Sequence, residues 1–102
     1  MIHVIANITT KPGQRETVLT ALKANIPAVL AEKGCIEYQP VIDAENAGKV
    51  QTPLGADSFI VVEKWETMDD LAAHASSKHM SDYAKEVGHM IADRTIHVLS
   101  NT

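Results

Sequence analysis

Aromatic residues are scarce in this 102-residue chain, at 4%. So thin a set excludes the stacking platforms that bind single-stranded nucleic acid. A basic excess is also missing. Nine Lys and Arg stand against 13 Asp and Glu, for a formal net charge of −4. No nucleic-acid partner is expected, because a polyanion needs the opposite sign. The one cysteine, Cys35, has no partner for an internal disulfide. A fold held without such staples suits a reducing cytoplasm. No apolar run approaches the ~20 residues of a membrane span. Met1 to Asn7 shows neither a basic n-region nor a small-residue cleavage site, so no signal peptide is expected. Solenoid-type repeats and low-complexity segments are absent as well.

What is present has globular proportions, 45% hydrophobic and 22% charged. The length suits one domain, residues 1–102, with no room for a second core. Ile2 to Thr9 reads as a strand, with Ile2, Val4, Ala6 and Ile8 on one face and His3, Ile5, Asn7 and Thr9 on the other. Lys11-Pro12-Gly13 is a turn signal. Val18, Leu22, Ile26, Val29 and Leu30 follow at helical spacing, and Lys33-Gly34 closes that helix. Pro27 inside it predicts a kink or a break into two pieces.

Cys35 to Asp43 reads as a second strand, Ala44 to Asp57 as a long polar loop, and Ser58 to Glu66 as a third strand. Thr67 to Asp70 has the form of a capping box ahead of a helix from Met68 to about Ser76. A further helical piece carries Met80, Tyr83, Val87 and Met90 on one face, and Thr95 to Ser100 is the last strand. The order β-α-β-β-α-β is the ferredoxin-like α+β plan, a four-stranded antiparallel sheet with its helices on one face. Phe59, Val61 and Trp65 point one way from the third strand, Ile60 and Val62 the other. Helices can cover only one of these faces, so a homodimer with sheets packed face to face is expected.

Several stretches together carry a family resemblance. They are Lys11-Pro12-Gly13, Gly34-Cys35-Ile36-Glu37-Tyr38, the strand from Phe59 through Glu63 to Trp65, His74, and Ser77-Lys78-His79. By their order and spacing the chain resembles the antibiotic biosynthesis monooxygenase family, quinol-monooxygenase-like domains of the dimeric α/β-barrel superfamily. The resemblance covers almost the whole chain. It implies oxygenation of a quinol-like or polyphenolic small molecule by O2 with no cofactor. Such chemistry needs a base to make an electron-rich anion, a donor to hold that anion, and a dry pocket.

His74, three residues after Leu71, should face the sheet and is the expected base, the bland alternative being a half-buried structural histidine. The resemblance places Asn7 in the pocket between sheet and helices as the anion-holding donor; otherwise it is a polar strand residue bonded to backbone. Trp65 and Phe59 are expected as pocket walls, with plain core the competing reading for Trp65. Tyr38 and Tyr83 each offer a phenol, Tyr83 as a proton relay or a core residue. His79 either lines the pocket or caps the next helical piece. Glu63 should have a structural role with a basic or hydroxyl partner, within the subunit or across the dimer, since a lone buried carboxylate is costly. Cys35 reads as an inert small hydrophobe.

The five histidines, His3, His74, His79, His89 and His97, form no HxxxH or CxxC pattern, and no metal site is expected. Haem-degrading relatives pair an Asn on the first strand with a Trp and a His in the second helical region. Here the Trp position falls at His74 and the His position near Ala84, so haem has no axial ligand. Two other readings stand beside the oxygenase. An isomerase of a small carbonyl metabolite would want clustered cations, and Lys64, Lys78, Lys85 and Arg94 are scattered. A non-catalytic ligand-binding or stress-response module would bind without turnover.

Overall fold

A computed structural model describes residues 1–102. Four strands build one sheet: β1 (Ile2–Thr10), β2 (Cys35–Val41), β3 (Ser58–Trp65) and β4 (Ile91–Ser100). Their order is β2-β3-β1-β4, with every neighbouring pair antiparallel. Helices α1 (Arg15–Leu30), α2 (Met68–Ala75) and α3 (Lys78–Val87) complete the α+β ferredoxin-like fold.

The period-2 pattern of β1 sets the inside and the outside of the sheet. Val4, Ala6 and Ile8 are buried, and across the ladder they meet Glu63, Val61 and Phe59 of β3. These side chains face the helices and join Val18, Leu19, Leu22 and Val29 of α1 in one core. The opposite face carries Ile5, Asn7, Ile60, Val62 and Leu99, and no helix covers it. Helical cover also stops short of β4, where Ile96 and Val98, on the helix-facing side, are 48% and 47% exposed.

Pro27 does not divide α1, which runs unbroken to Leu30. It lies in the last turn, where the lost backbone bond is outweighed by burial of Val29, and Ala31 N–H still closes onto the Pro27 carbonyl. The helix stops before Lys33, earlier than its sequence pattern predicts. Ala31 to Gly34 form a turn instead, with the Glu32 N–H bonded to the Val29 carbonyl at 3.0 Å. Gly34 closes it at φ +79°, and its carbonyl accepts the Glu66 N–H at 2.9 Å. The end of α1 is thereby tied to the end of β3.

The Thr67 N-cap forms as predicted, its Oγ1 accepting the Asp70 N–H at 3.1 Å, while the Asp70 carboxylate does not return the bond that would complete a capping box. The N-cap of α3 is Ser77, and not His79. Strand β2 ends at Val41, ahead of the predicted Asp43. The Asp43 carboxylate instead binds the Leu54 and Gly55 N–H groups and Gln51 Nε2, closing the 44–57 loop, which contains one short 3₁₀ turn at Gly48–Val50. These bonds hold the carboxyl of Asp43 below its ordinary pKa, the Leu54 N–H most strongly. Strand β4 starts at Ile91, earlier than predicted, because the polar Asp93-Arg94 pair is tolerated on an exposed edge strand.

Candidate active site

Between the helix-facing side of the sheet and helices α2 and α3 lies a cavity of about 830 Å³. Fifteen of its 22 lining residues are hydrophobic, which gives the apolar surroundings that suit an aromatic ligand. Val4, Ala6 and Ile8 form its floor, and Leu71, Met80 and Val87 contribute from the helices. Its remaining wall is β4, through Arg94, Ile96 and Val98. Those side chains are exposed, so the cavity opens where the helical layer ends.

Besides Arg94, four titratable groups with distinct surroundings line this space. His74 is 5% exposed and sits in the last turn of α2. Its ring lies 4.7 Å from the Trp65 ring and 5.5 Å from the Tyr38 ring. His74 Nδ1 is 2.9 Å from Glu32 Oε2. A carboxylate only accepts, so Nδ1 carries a proton, and in the neutral ring Nε2 is the nitrogen that holds the lone pair. Nε2 has no protein partner, yet no buried polar atom is left unsatisfied, so this nitrogen opens onto the cavity. The hydroxyls of Tyr38 and Tyr83 also lack protein partners and open onto it by the same argument. Burial pushes the Tyr83 phenol up to about 12 and raises that of Tyr38 as well. Both therefore stay protonated, and remain donors, at neutral pH.

Glu63 is the fourth group, 7% exposed, with Trp65 Nε1 donating to its Oε1 at 3.0 Å. Burial raises its pKa from the ordinary 4.5, more than the Trp65 bond and the nearby His74 lower it. As pH rises, the unfolded chain ionises before the folded one, so stability is lost between 4.5 and the higher folded value. Glu63→Gln keeps an amide oxygen for Trp65 and removes the buried charge. It is expected to raise the urea midpoint at pH 7, with the gap closing as pH falls toward 4.5. Melts at a series of pH values check this, and a gap independent of pH would refute the burial account.

Of the expected site residues, His74, Tyr38 and Tyr83 come together at the cavity. Asn7 does not. With Val4, Ala6 and Ile8 facing the helices, the pleat turns Asn7 to the opposite face, beside Ile60 and Thr95. Phe59 and Trp65 share the helix-facing side of β3, but both are fully buried core, Trp65 behind His74, and neither walls the cavity. His79 lies outside the cavity lining, with its Nε2 2.8 Å from Glu32 Oε2. Two contributors were missed by sequence reasoning. Glu32 reaches His74 across 42 residues of chain, a contact no local spacing signals. Arg94 was noted only as a scattered cation; here it is the one cationic residue on the cavity wall, and it has no ion-pair partner.

A family profile described as antibiotic biosynthesis monooxygenase matches residues 1–86. The chain belongs to the antibiotic biosynthesis monooxygenase family. Within reach of this family member is a probable quinol monooxygenase, YgiN, of Escherichia coli K12, 37% identical over 101 residues, which span 97% of this chain and 96% of the relative. The Shigella flexneri YgiN matches equally well. Solved structures with the same fold include PA3566 from Pseudomonas aeruginosa, with a TM-score of 0.80 at 23% identity over 99% of this chain and 93% of that one. Rv0793 from Mycobacterium tuberculosis gives 0.80 at 24% identity over 99% and 94%. Like the family's description, the name of the 37% relative points to monooxygenase chemistry. No helix of this family member is long and apolar enough to cross a membrane.

Proposed function

We propose that this protein, one domain over residues 1–102, is a cofactor-independent monooxygenase of quinol-like or polyphenolic small molecules. The observation that carries the reading is the lone pair of His74 Nε2, open to an apolar cavity of about 830 Å³ while Nδ1–H is fixed by Glu32. The quinol named for the 37% relative supports the substrate class.

The reaction starts when His74 Nε2 takes a phenolic proton from the quinol. Tyr38 and Tyr83 donate to the resulting anion, and Arg94 at the mouth adds positive charge. These groups take over the donor role first expected of Asn7. The electron-rich anion passes an electron to O2, and the two radicals combine at a ring carbon. One oxygen atom stays on that carbon. The other leaves as water with two hydrogens of the substrate, so quinol plus O2 gives hydroxyquinone plus water. An isomerase acting on a phosphorylated carbonyl compound would want several cations, and Arg94 is alone on the wall.

Metal-stripped protein is expected to take up oxygen with a panel of hydroquinones and anthrones faster than those compounds autoxidise. Uptake no faster than autoxidation across the panel would overturn the oxygenase reading in favour of a binding module.

The working form in this reading is a homodimer in the cytoplasm. The uncovered sheet face presents Ile5, Ile60, Val62 and Leu99 on adjacent strands, an apolar surface that a second copy would bury. Val62→Glu places a charge at the middle of that face. Light scattering after size exclusion is expected to show the variant as monomer and the wild type as dimer. A wild-type monomer would dismiss this assembly.

A further inference from the structure

The geometry points to a divalent-metal site formed by Glu32, His74 and His79, binding a borderline ion of the Zn²⁺ class. Three separate elements converge there: the turn after α1, the end of α2 and the start of α3. Glu32 Oε2 lies 2.9 Å from His74 Nδ1 and 2.8 Å from His79 Nε2. One ligand atom from each residue lies within 4.8 Å of those of the other two. A tetrahedral ion with bonds of about 2.0–2.1 Å sets its ligand atoms about 3.3 Å apart, so the clasp needs to open only slightly to admit one. Two imidazoles and one carboxylate are a donor set that Zn²⁺ favours over harder ions.

The chemistry of the clasp supports exchange for a cation. A single carboxylate oxygen serves two N–H donors, and a metal would take the place of both protons. No net proton loss is required, since each ring can move its proton to the far nitrogen. Access is on the His79 side, where the imidazole is 28% exposed, against 15% for Glu32 and 6% for His74. Ser77 Oγ, 3.3 Å from His79 Nε2, is the remaining polar neighbour of that nitrogen. A fourth position is left for water, as in zinc sites with three protein ligands.

Occupancy has a consequence for the proposed reaction, and this one step rests on the oxygenase reading. With the ion on Nδ1, the His74 proton sits on Nε2, and the ring no longer accepts a proton from substrate.

The test uses apo protein titrated with Zn²⁺ by calorimetry and with Co²⁺ by visible absorption. One ion per chain is expected, with Co²⁺ bands of a four-coordinate nitrogen and oxygen site. His79→Gln and Glu32→Gln should each weaken binding by about 10- to 100-fold or more. Circular dichroism of the apo variants confirms that they fold. No saturable binding by wild type, or equal binding by both variants, would overturn the site. These readouts involve no turnover, so they stand or fall separately from the oxygen-uptake experiment. In that assay Zn²⁺ should also stop uptake and a chelator restore it; undiminished uptake by the loaded protein would overturn the effect on the base.

Discussion

His74→Ala is expected to lower quinol-dependent oxygen uptake by ~10²- to 10⁴-fold, the usual contribution of a positioned general base. The loss should fall on kcat, because the apolar cavity that holds the substrate stays in place. His74→Gln serves as the companion variant. It fills more of the space between Trp65 and Tyr38 than alanine does, yet has no basic nitrogen, so a matching loss separates missing chemistry from damaged packing. Retention of activity in both variants would move the proton acceptor elsewhere, and Glu63 is the one carboxylate on the cavity wall.

Gly34→Ala should be among the most damaging single methyl additions in the chain. The glycine sits at φ +79°, where a side chain is strained, and the Asp70 side chain occupies the space a Cβ would need. Its overlap includes the Asp70 Cβ as well as the carboxylate, so rotation of a flexible tip cannot relieve it. The start of α2 must move. Strain and overpacking together are expected to cost ~2–4 kcal/mol, measurable as a lowered urea midpoint. Gly13→Ala provides the contrast: it shares φ +79° but has no neighbour within 4 Å, so it keeps the strain and lacks the collision. Equal losses at the two positions would show that Asp70 plays no part. Displacing α2 also moves His74 away from Glu32, so the Gly34 variant should lose activity beyond its loss of stability.

Much of the fold was legible because its signals are local. Alternation in Ile2–Thr10 and Ser58–Trp65, the Thr67 cap and the helical spacing of Val18, Leu22 and Val29 each act over a few residues. Boundaries failed where tertiary context overrode local preference, at Pro27 and at the polar start of β4. The site divides along the same line. The spacing of His74 from Leu71 predicts the sheet-facing side of α2, where His74 is buried. The parity of β1 already turns Asn7 away from Val4, Ala6 and Ile8, against the placement that the family resemblance implies. Glu32 carried no sequence signal, since its partners lie 42 and 47 residues away and only the folded turn brings them together.

The strand order sets a timetable for synthesis. β1 lies in the interior of the sheet, between β3 and β4, although it is the first strand to be made. One of its edges waits for β3 and the other for the final strand of the fold. During translation the nascent chain must therefore carry an open, largely apolar β1 edge until Ile91–Ser100 has left the ribosome. The cavity wall made by Arg94, Ile96 and Val98 arrives with that same segment. The ligand-binding surface is thus complete only once Ile91–Ser100 has been made, and until then the β4-side edge of β1 stays open to pairing with a neighbour.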